Sequence, residues 1–380
     1  MIKAAKRLAT VEEYYFSKKL REVRSLMALG KPIINMGIGS PDLAPPSQVL
    51  TAIQGSLTDA GAHKYQSYQG LPELRVAISN FYKEKYSVAV NAEDEILPLM
   101  GSKEGIMHIS LAFLNEGDQV LIPNPGYPTY TSVTKLVGAV PLFYNLSAAH
   151  NWQPNFEELE CQDLSSVKIM WVNYPNMPTG TSGTLEMFEK LVAFGKKHQI
   201  LIINDNPYSF VLNDNPISIL QAAGAKEIAL ELNSLSKTFN MSGWRVGMVL
   251  GNSEYINEIL KVKSNMDSGM FYGIQKGATQ ALELPNDWFV AQNKIYKERR
   301  DLIWELADKL GTTYDREATG LFVWAKIPEG KRSEEVTDTI LYKNDIFITP
   351  GTIFGSQGEG YIRFSLCVSA EIIKEAISRL

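Results

Sequence analysis

The stretch Ser234-Leu-Ser-Lys-Thr-Phe-Asn-Met-Ser-Gly-Trp-Arg-Val-Gly247 decides how the rest of this chain is read. It follows an apolar run, Ile228 to Leu232, with the length and composition of a buried strand. A single lysine, Lys237, stands among the small hydroxyl residues Ser234, Ser236 and Thr238, and Arg245 follows with Gly243 and Gly247 close on either side. Small residues let a bulky ligand approach the backbone, hydroxyls and a guanidinium suit a phosphate, and a lysine amine suits a carbonyl. Together they describe a Schiff-base lysine beside a phosphate cup. A lone Ser-Lys-Thr is far more often an ordinary loop lysine, so the other loops decide between the two readings.

Working outward, short apolar runs recur at Ile96–Met100, Gln119–Ile122, Val140–Tyr144, Val167–Val172, Ile200–Ile203 and Val246–Leu250. Helix-period segments separate them, such as the one opening at Gly101-Ser-Lys and ending near Leu114, and Thr184 to His198. Apolar strands alternating with amphipathic helices predict an α/β fold, a mostly parallel sheet of about seven strands covered by helices on both faces. After Gly251 the pattern changes to long helices near 253–264, 271–283 and 287–310. Strands at Phe322–Ile327, Ile346–Thr349 and Tyr361–Leu366, a helix near 333–343 and a closing helix then predict a smaller α+β domain. At the other end, Val11 to Leu29 reads as a helix stopped by Gly30 and Pro32, leading to a short strand over Ile33–Met36.

The 380 residues carry a net charge of −5, which gives no electrostatic reason to expect nucleic acid or an anionic membrane as partner. Two distant cysteines, Cys161 and Cys367, argue against a disulfide framework or zinc site and fit a reducing compartment. With no apolar leader at Met1–Leu8 and no run of membrane-spanning length, the chain reads as cytoplasmic. Four histidines without metal-like pairing leave little room for a metal centre, and none is expected. Neither a phosphate-loop Gly-x4-Gly-Lys-Ser/Thr nor a Gly-x-Gly-x-x-Gly after the first strand occurs, which argues against a nucleotide-binding protein.

In open α/β sheets ligands sit beyond the carboxyl ends of the strands. Five such ends carry unusual residues: Gly101–Gly105, Asn124–Tyr127, Asn173–Gly180, Asn204–Tyr208 and Ser234–Lys237. A lysine-bound pyridine ring would need a carboxylate against its nitrogen, and Asp205 sits just past a strand. Tyr208 and Asn176 are placed to donate to the ring's phenol oxygen, and Tyr127 to stack on the ring. Gly101, Ser102 and Lys103 open a helix whose first amides suit a phosphate, with Ser234, Ser236 and Arg245 completing the cup. Arg363, in Tyr361-Ile-Arg-Phe-Ser-Leu366, is a charge inside an apolar strand and a candidate clamp for a carboxylate, with the amides near Gly39 in support.

The motifs Ser-Leu-Ser-Lys-Thr-Phe-x-x-x-Gly-Trp-Arg-x-Gly, Asn-Tyr-Pro-Asn-x-Pro-Thr-Gly, Asp205-Asn-Pro-Tyr208 and Arg363-Phe-Ser follow one another in the order seen in the class I/II aminotransferases, and the chain resembles that family over nearly its whole length. These are pyridoxal-phosphate enzymes of fold type I. The resemblance implies Lys237 as the residue that holds the cofactor covalently and then acts as general base and acid. It implies Asp205 on the ring nitrogen, Tyr208 and Asn176 on the phenol oxygen, Tyr127 on the ring face, and Gly101, Ser102, Lys103 (through its amide), Ser234, Ser236 and Arg245 around the phosphate. Arg363, Gly39 and Asn176 would hold the substrate carboxylate. Tyr65 matches a tyrosine that reaches the neighbouring subunit's phosphate, which implies a homodimer with shared active sites. The resemblance also groups residues 1–45 with a small domain at 284–380, around a large cofactor domain at 46–283. Two positions depart from the usual pattern: Asn206, where a second acidic residue is common, and Met177, where proline is frequent. Neither is expected to touch the chemistry.

Gly101–Ile106 and Asn265–Phe271 look most like the subgroup containing LL-diaminopimelate, alanine, methionine and aromatic aminotransferases, with 2-oxoglutarate or glutamate as second partner by family habit. Segments near 10–25 and 265–275 are expected to line the side-chain pocket. The alternatives are a β-lyase on the same fold and a non-catalytic pyridoxal-phosphate-binding protein.

Overall fold

Seven strands form the central sheet, in the order Ile96–Leu99, Gly247–Gly251, Ala229–Ser234, Leu201–Asp205, Val167–Val172, Gln119–Asn124, Val140–Asn145. These come from a computed structural model that describes residues 2–11 and 15–380. The last five strands of that order run parallel, while Gly247–Gly251 is antiparallel to both of its neighbours. The reason is local. Residues 235–246 are taken up by a one-turn helix, Leu235–Thr238, and a short turn, Ser242–Trp244, both at the end of the preceding strand. No length remains for the crossover a parallel return needs. The amide of Leu235 donates to the Val246 carbonyl at 3.1 Å and closes the hairpin, so Lys237 and Arg245 emerge at the same sheet end.

Strand periodicity sorts the core into two faces. In Val167–Val172 the side chains of Met170 and Val172 join one apolar cluster, and those of Ile169 and Trp171 join the other. The first cluster is covered by Leu74 and Ile78 of the helix Pro72–Tyr86, Leu191 of Leu185–His198 and Ala278 of Tyr272–Leu282. The second is covered by Ile106 and Ile109 of Ser102–Phe113, Val133 of Pro128–Leu136 and Ile259 of Ser253–Lys263. The expected helix-covered, mostly parallel sheet is what the chain builds.

A second core belongs to a smaller α+β layer. Its four-stranded antiparallel sheet runs Thr349–Pro350, Tyr361–Ser365, Phe322–Lys326, Thr313–Tyr314, and on the face opposite Arg363 it carries Val323, Ala325, Ile362 and Phe364, which share an apolar cluster with Tyr296 and Ile303 of the long helix Asn286–Lys309. The single strand expected over Ile346–Thr349 is divided: Ile346–Phe347 pairs in parallel with Ile34–Asn35, and Thr349–Pro350 pairs with Tyr361–Ser365. The N-terminal strand is thereby stitched to the C-terminal part of the chain. The N-terminal helix runs Tyr15–Ala28 and ends before Gly30, whose φ of +86° suits glycine; the beginning of its expected span, residues 12–14, lies outside the described residues.

Candidate active site

Between the large sheet's carboxyl edge and the smaller sheet lies a cavity of about 420 Å³. Ser102, Lys103, Tyr127, Asp205, Tyr208, Ser234, Ser236, Lys237, Arg245, Gly39 and Arg363 all line it. Residues scattered over more than three hundred positions of sequence thus converge: those of the large domain follow a strand or begin a helix at the same sheet end, while Arg363 comes from a strand of the smaller sheet and Gly39 from the N-terminal segment.

Lys237 is fixed by the hairpin and donates from Nζ to the Gly39 carbonyl at 2.6 Å. Burial, with Arg363 and Arg245 adding to it, lowers its pKa from the ordinary lysine value, which favours the neutral amine a carbonyl needs. Asp205 ends the strand Leu201–Asp205; its Oδ2 accepts from the Tyr130 hydroxyl at 2.8 Å. Its Oδ1 is buried with no hydrogen-bond partner among the described residues. Burial pushes this carboxyl up to about 7, against the opposing effects of Tyr130 and Lys237. A buried, half-satisfied carboxylate facing a cavity is built for a cationic N–H.

The phosphate end is equally specific. Gly101 has φ +89°, and a Cβ there would lie 2.1 Å from Arg245 Nη2. Gly247 backs onto the same turn, where a Cβ would meet the Ser102 amide nitrogen at 2.6 Å. The first turn of Ser102–Phe113 therefore sits flush against the hairpin, with the Ser102, Ser234 and Ser236 side chains and Arg245 around it. Lys103 joins them, its pKa lowered by burial and by Arg245. Two cations beside three hydroxyls and a helix start suit a dianion. Pyridoxal phosphate matches this donor set end to end: amine at Lys237, ring nitrogen at Asp205 and phosphate at the Arg245 cup.

Arg363 is 4% exposed, and its guanidinium lies 3.9 Å from the Phe322 ring centre and 4.6 Å from that of Phe354. It donates from Nη2 to the Gly37 carbonyl at 2.7 Å and from Nη1 to Met177 Sδ at 3.3 Å. Here the structure corrects two expectations. Asn176 does not line the cavity: its Oδ1 accepts from the Thr179 hydroxyl at 2.8 Å and its Nδ2 donates to the Asn173 carbonyl at 3.2 Å, so the side chain is spent on its own turn. Met177, expected to be a bystander, lines the cavity and touches Arg363. A one-residue shift in a turn reverses which side chain faces inward.

Gly101 lies behind the cup rather than on the cavity wall, and Tyr65 is 90% exposed and outside it. Of the segments expected to form the side-chain pocket, Leu20 contributes, but no residue of 265–275 reaches this chain's cavity. Residues unread from the sequence are Tyr130, Asn173 and the Ser40–Ser242 hydroxyl pair at 3.2 Å. Tyr130 was readable in principle, one helical turn beyond Tyr127 and so on the same face. Elsewhere Glu104, His108 and Asp267 approach within 4.8 Å of one another, but the buried Lys263 ammonium already donates to Asp267 at 2.7 Å and supplies that cluster's cation.

This fold and site define a pyridoxal-phosphate enzyme of fold type I. The family Aminotransferase class I and II matches residues 31–380, and the chain belongs to it. It is 40% identical to the LL-diaminopimelate aminotransferase of Maridesulfovibrio salexigens over 100% of this chain and 98% of the relative. It is 38% identical to the enzyme of the same name from Aquifex aeolicus, over 100% and 99%. Among solved structures, substrate-bound BacF from Bacillus subtilis superimposes with a TM-score of 0.95 at 34% identity, covering 100% of this chain and 97% of that one. The protein is a pyridoxal-phosphate-dependent transaminase that moves amino groups between amino acids and 2-oxo acids.

Proposed function

We propose that the enzyme transfers the amino group of LL-diaminopimelate to a 2-oxo acid, 2-oxoglutarate foremost, as a cytoplasmic homodimer whose small domain comprises residues 1–45 and 284–380 around a large domain at 46–283. The observation that carries the substrate is the shared name of relatives 37–40% identical over essentially the full chain. The unpaired cysteines support a reducing compartment, and no helix among the described residues is long and apolar enough to cross a membrane.

When bound, pyridoxal phosphate supplies the carbonyl that condenses with the substrate amine and the ring that draws electrons from a breaking Cα–H bond. The chain's own residues do the rest. Lys237 Nζ, its pKa lowered by burial, would take the proton from the substrate Cα and return it at the cofactor's carbonyl carbon, on the far side of the nitrogen. Asp205, ionised against a cation, would keep the ring nitrogen protonated, and the Tyr208 hydroxyl would donate to the phenol oxygen. Tyr127 covers the ring face. Ser102, Lys103, Ser234, Ser236 and Arg245 would anchor the phosphate, and Arg363 would hold and orient the substrate carboxylate. The partner's Tyr65 is assigned to the shared phosphate, which its exposure in a single chain supports.

The test is kinetic. Purified enzyme is given LL-diaminopimelate, alanine, methionine or phenylalanine with 2-oxoglutarate, and glutamate is measured. LL-diaminopimelate is expected to show the highest kcat/KM, and a tenfold preference for another amino acid would overturn the substrate. In Lys237→Ala, turnover is expected to fall by at least four orders of magnitude with unchanged circular dichroism; wild-type-like turnover would remove Lys237 from its role.

A further inference from the structure

Lys263 ends the helix Ser253–Lys263 with only 1% of its surface exposed, and a buried ammonium is kept where an anion meets it. Asp267 is that anion: its Oδ2 accepts from Lys263 Nζ at 2.7 Å, and its Oδ1 accepts from the Gly269 amide, also at 2.7 Å. The carboxylate thereby closes the turn that carries Gly269, at φ +86°, against a second loop. A Cβ on Gly269 would lie 2.4 Å from the Gln66 carbonyl oxygen and 2.8 Å from the carbonyl carbon, so the two backbones are in direct contact. A few residues on, the fully buried Gln275 donates from Nε2 to the Met270 carbonyl at 2.6 Å and accepts at Oε1 from the Leu71 amide at 2.7 Å. The second loop is thus clamped at Gln66 and again at Leu71. It is also braced internally, by Gln66 Nε2 on the Lys64 carbonyl at 2.8 Å and the Gly70 amide on the Ser67 carbonyl at 3.0 Å. Tyr65 stands immediately before the first clamp and is 90% exposed. A backbone ordered this thoroughly, beneath a side chain left in solvent by its own chain, suits presentation of that side chain to another molecule.

We infer that Lys263 and Asp267 are positioning residues for the partner subunit's cofactor site: through Gly269 and Gln66 they set where Tyr65 stands, and the site of their own chain does not depend on them. The inference rests on the assignment of Tyr65 to the shared phosphate made above. A route inside the chain competes with it. Asp267 lies within 4.8 Å of Glu104 and His108, and Glu104 Oε2 accepts from the Met100 amide at 2.5 Å, where the phosphate-binding helix begins. The bonding favours the outward route. Both oxygens of Asp267 go to Lys263 and Gly269, Glu104 Oε1 faces His108 Nε2 at 3.0 Å, and no hydrogen bond among the described residues joins Asp267 to either. An ion pair buried at such a junction serves geometry more than stability, because it has one arrangement in which both charges are met.

Hybrid dimers decide which site the pair serves. Two differently tagged chains are coexpressed and the mixed dimers isolated, one protomer marked by Lys237→Ala. Borohydride then fixes pyridoxal phosphate only to the other protomer, and intact mass counts the fixed cofactor at each free concentration, giving the Kd of that one site. The variant Lys263→Met/Asp267→Ala removes both charges and so leaves no buried ion unpaired. On the protomer that keeps Lys237 it should leave the Kd within about twofold of the otherwise unchanged hybrid, because that site takes Tyr65 from the other chain. On the Lys237→Ala protomer it should weaken the Kd severalfold, as Tyr65→Phe does there, and adding Tyr65→Phe to the same chain should change it by no more than about twofold further. Weakening that follows the Lys237-bearing protomer, equal weakening in both arrangements, or none in either overturns the inference. If thermal unfolding and light scattering show no folded dimer for this variant, Gly269→Ala, whose methyl would displace the Gln66 carbonyl, carries the same two arrangements with the same expectations. Tyr65→Phe alone, in both arrangements, separates the two levels. If it does not act across the dimer, the shared-site reading fails; if it does and the Lys263–Asp267 variant does not, only the inference about that pair fails.

Discussion

Asp205 shows how a single residue's setting turns into a measurable property. Its pKa, about 7, stands above the ordinary aspartate value of 3.8 because the carboxyl is buried with one oxygen unmatched. The folded apoprotein therefore binds this proton more tightly than the unfolded chain. The group's stabilising contribution is full below about pH 4 and is lost as pH rises through 7, by up to about 4 kcal/mol. Asp205→Asn removes the ionisation. Its apoprotein should show a flatter stability-against-pH curve between pH 4 and 8 in urea titrations, and should exceed wild-type apoprotein above pH 7. The same variant should bind pyridoxal phosphate at least tenfold more weakly, having lost the partner of the ring nitrogen. Equal pH slopes for the two apoproteins would refute this account. The pair Asn176 and Met177 teaches the limit of residue-level reading: both sit in the same motif, and chemistry alone favoured the amide.

At the scale of elements, the hairpin that joins Ala229–Ser234 to Gly247–Gly251 is the device that makes the site. It carries the reactive amine on a one-turn helix and the phosphate-binding arginine on its return, and it is pressed against the first turn of Ser102–Phe113. Gly247 is the point of contact: a methyl there would lie 2.6 Å from the Ser102 nitrogen and 2.8 Å from the Gly101 carbonyl carbon, both backbone atoms. Gly247→Ala should push the two turns apart, destabilise the apoprotein by about 2 kcal/mol and weaken cofactor binding more than Gly243→Ala, whose position has open space around it. Thermal unfolding and equilibrium dialysis of cofactor check both halves. Most elements were legible in the sequence because strand and helix periods are local properties. The divided strand at Ile346–Thr349 was not, because a continuous apolar run does not say that its two halves pair with different sheets.

On the scale of the whole molecule, the cavity exists only because two layers meet. The large sheet brings Lys237, Asp205 and the phosphate cup; the smaller one brings Arg363 and Phe322; the N-terminal segment brings Gly39 and Leu20. Exposed Tyr65 is the residue proposed to reach the partner subunit's phosphate. Light scattering should give twice the chain mass of 42.4 kDa, and Tyr65→Phe should weaken cofactor affinity severalfold without dissociating the dimer. A monomeric holoenzyme with wild-type affinity in that variant would exclude the shared site.

By itself the sequence determined the element types, the sheet class and the chemistry-bearing loops, since hydrophobic period, glycine placement and residue type are written locally. It also determined the family, through motifs whose order follows that of the strand ends. Only the tertiary structure decided which way each loop side chain points. That depends on backbone turns closed by hydrogen bonds such as those around Asn176, and on close backbone contacts such as that of Gly247, neither of which has a signature within a few residues of sequence.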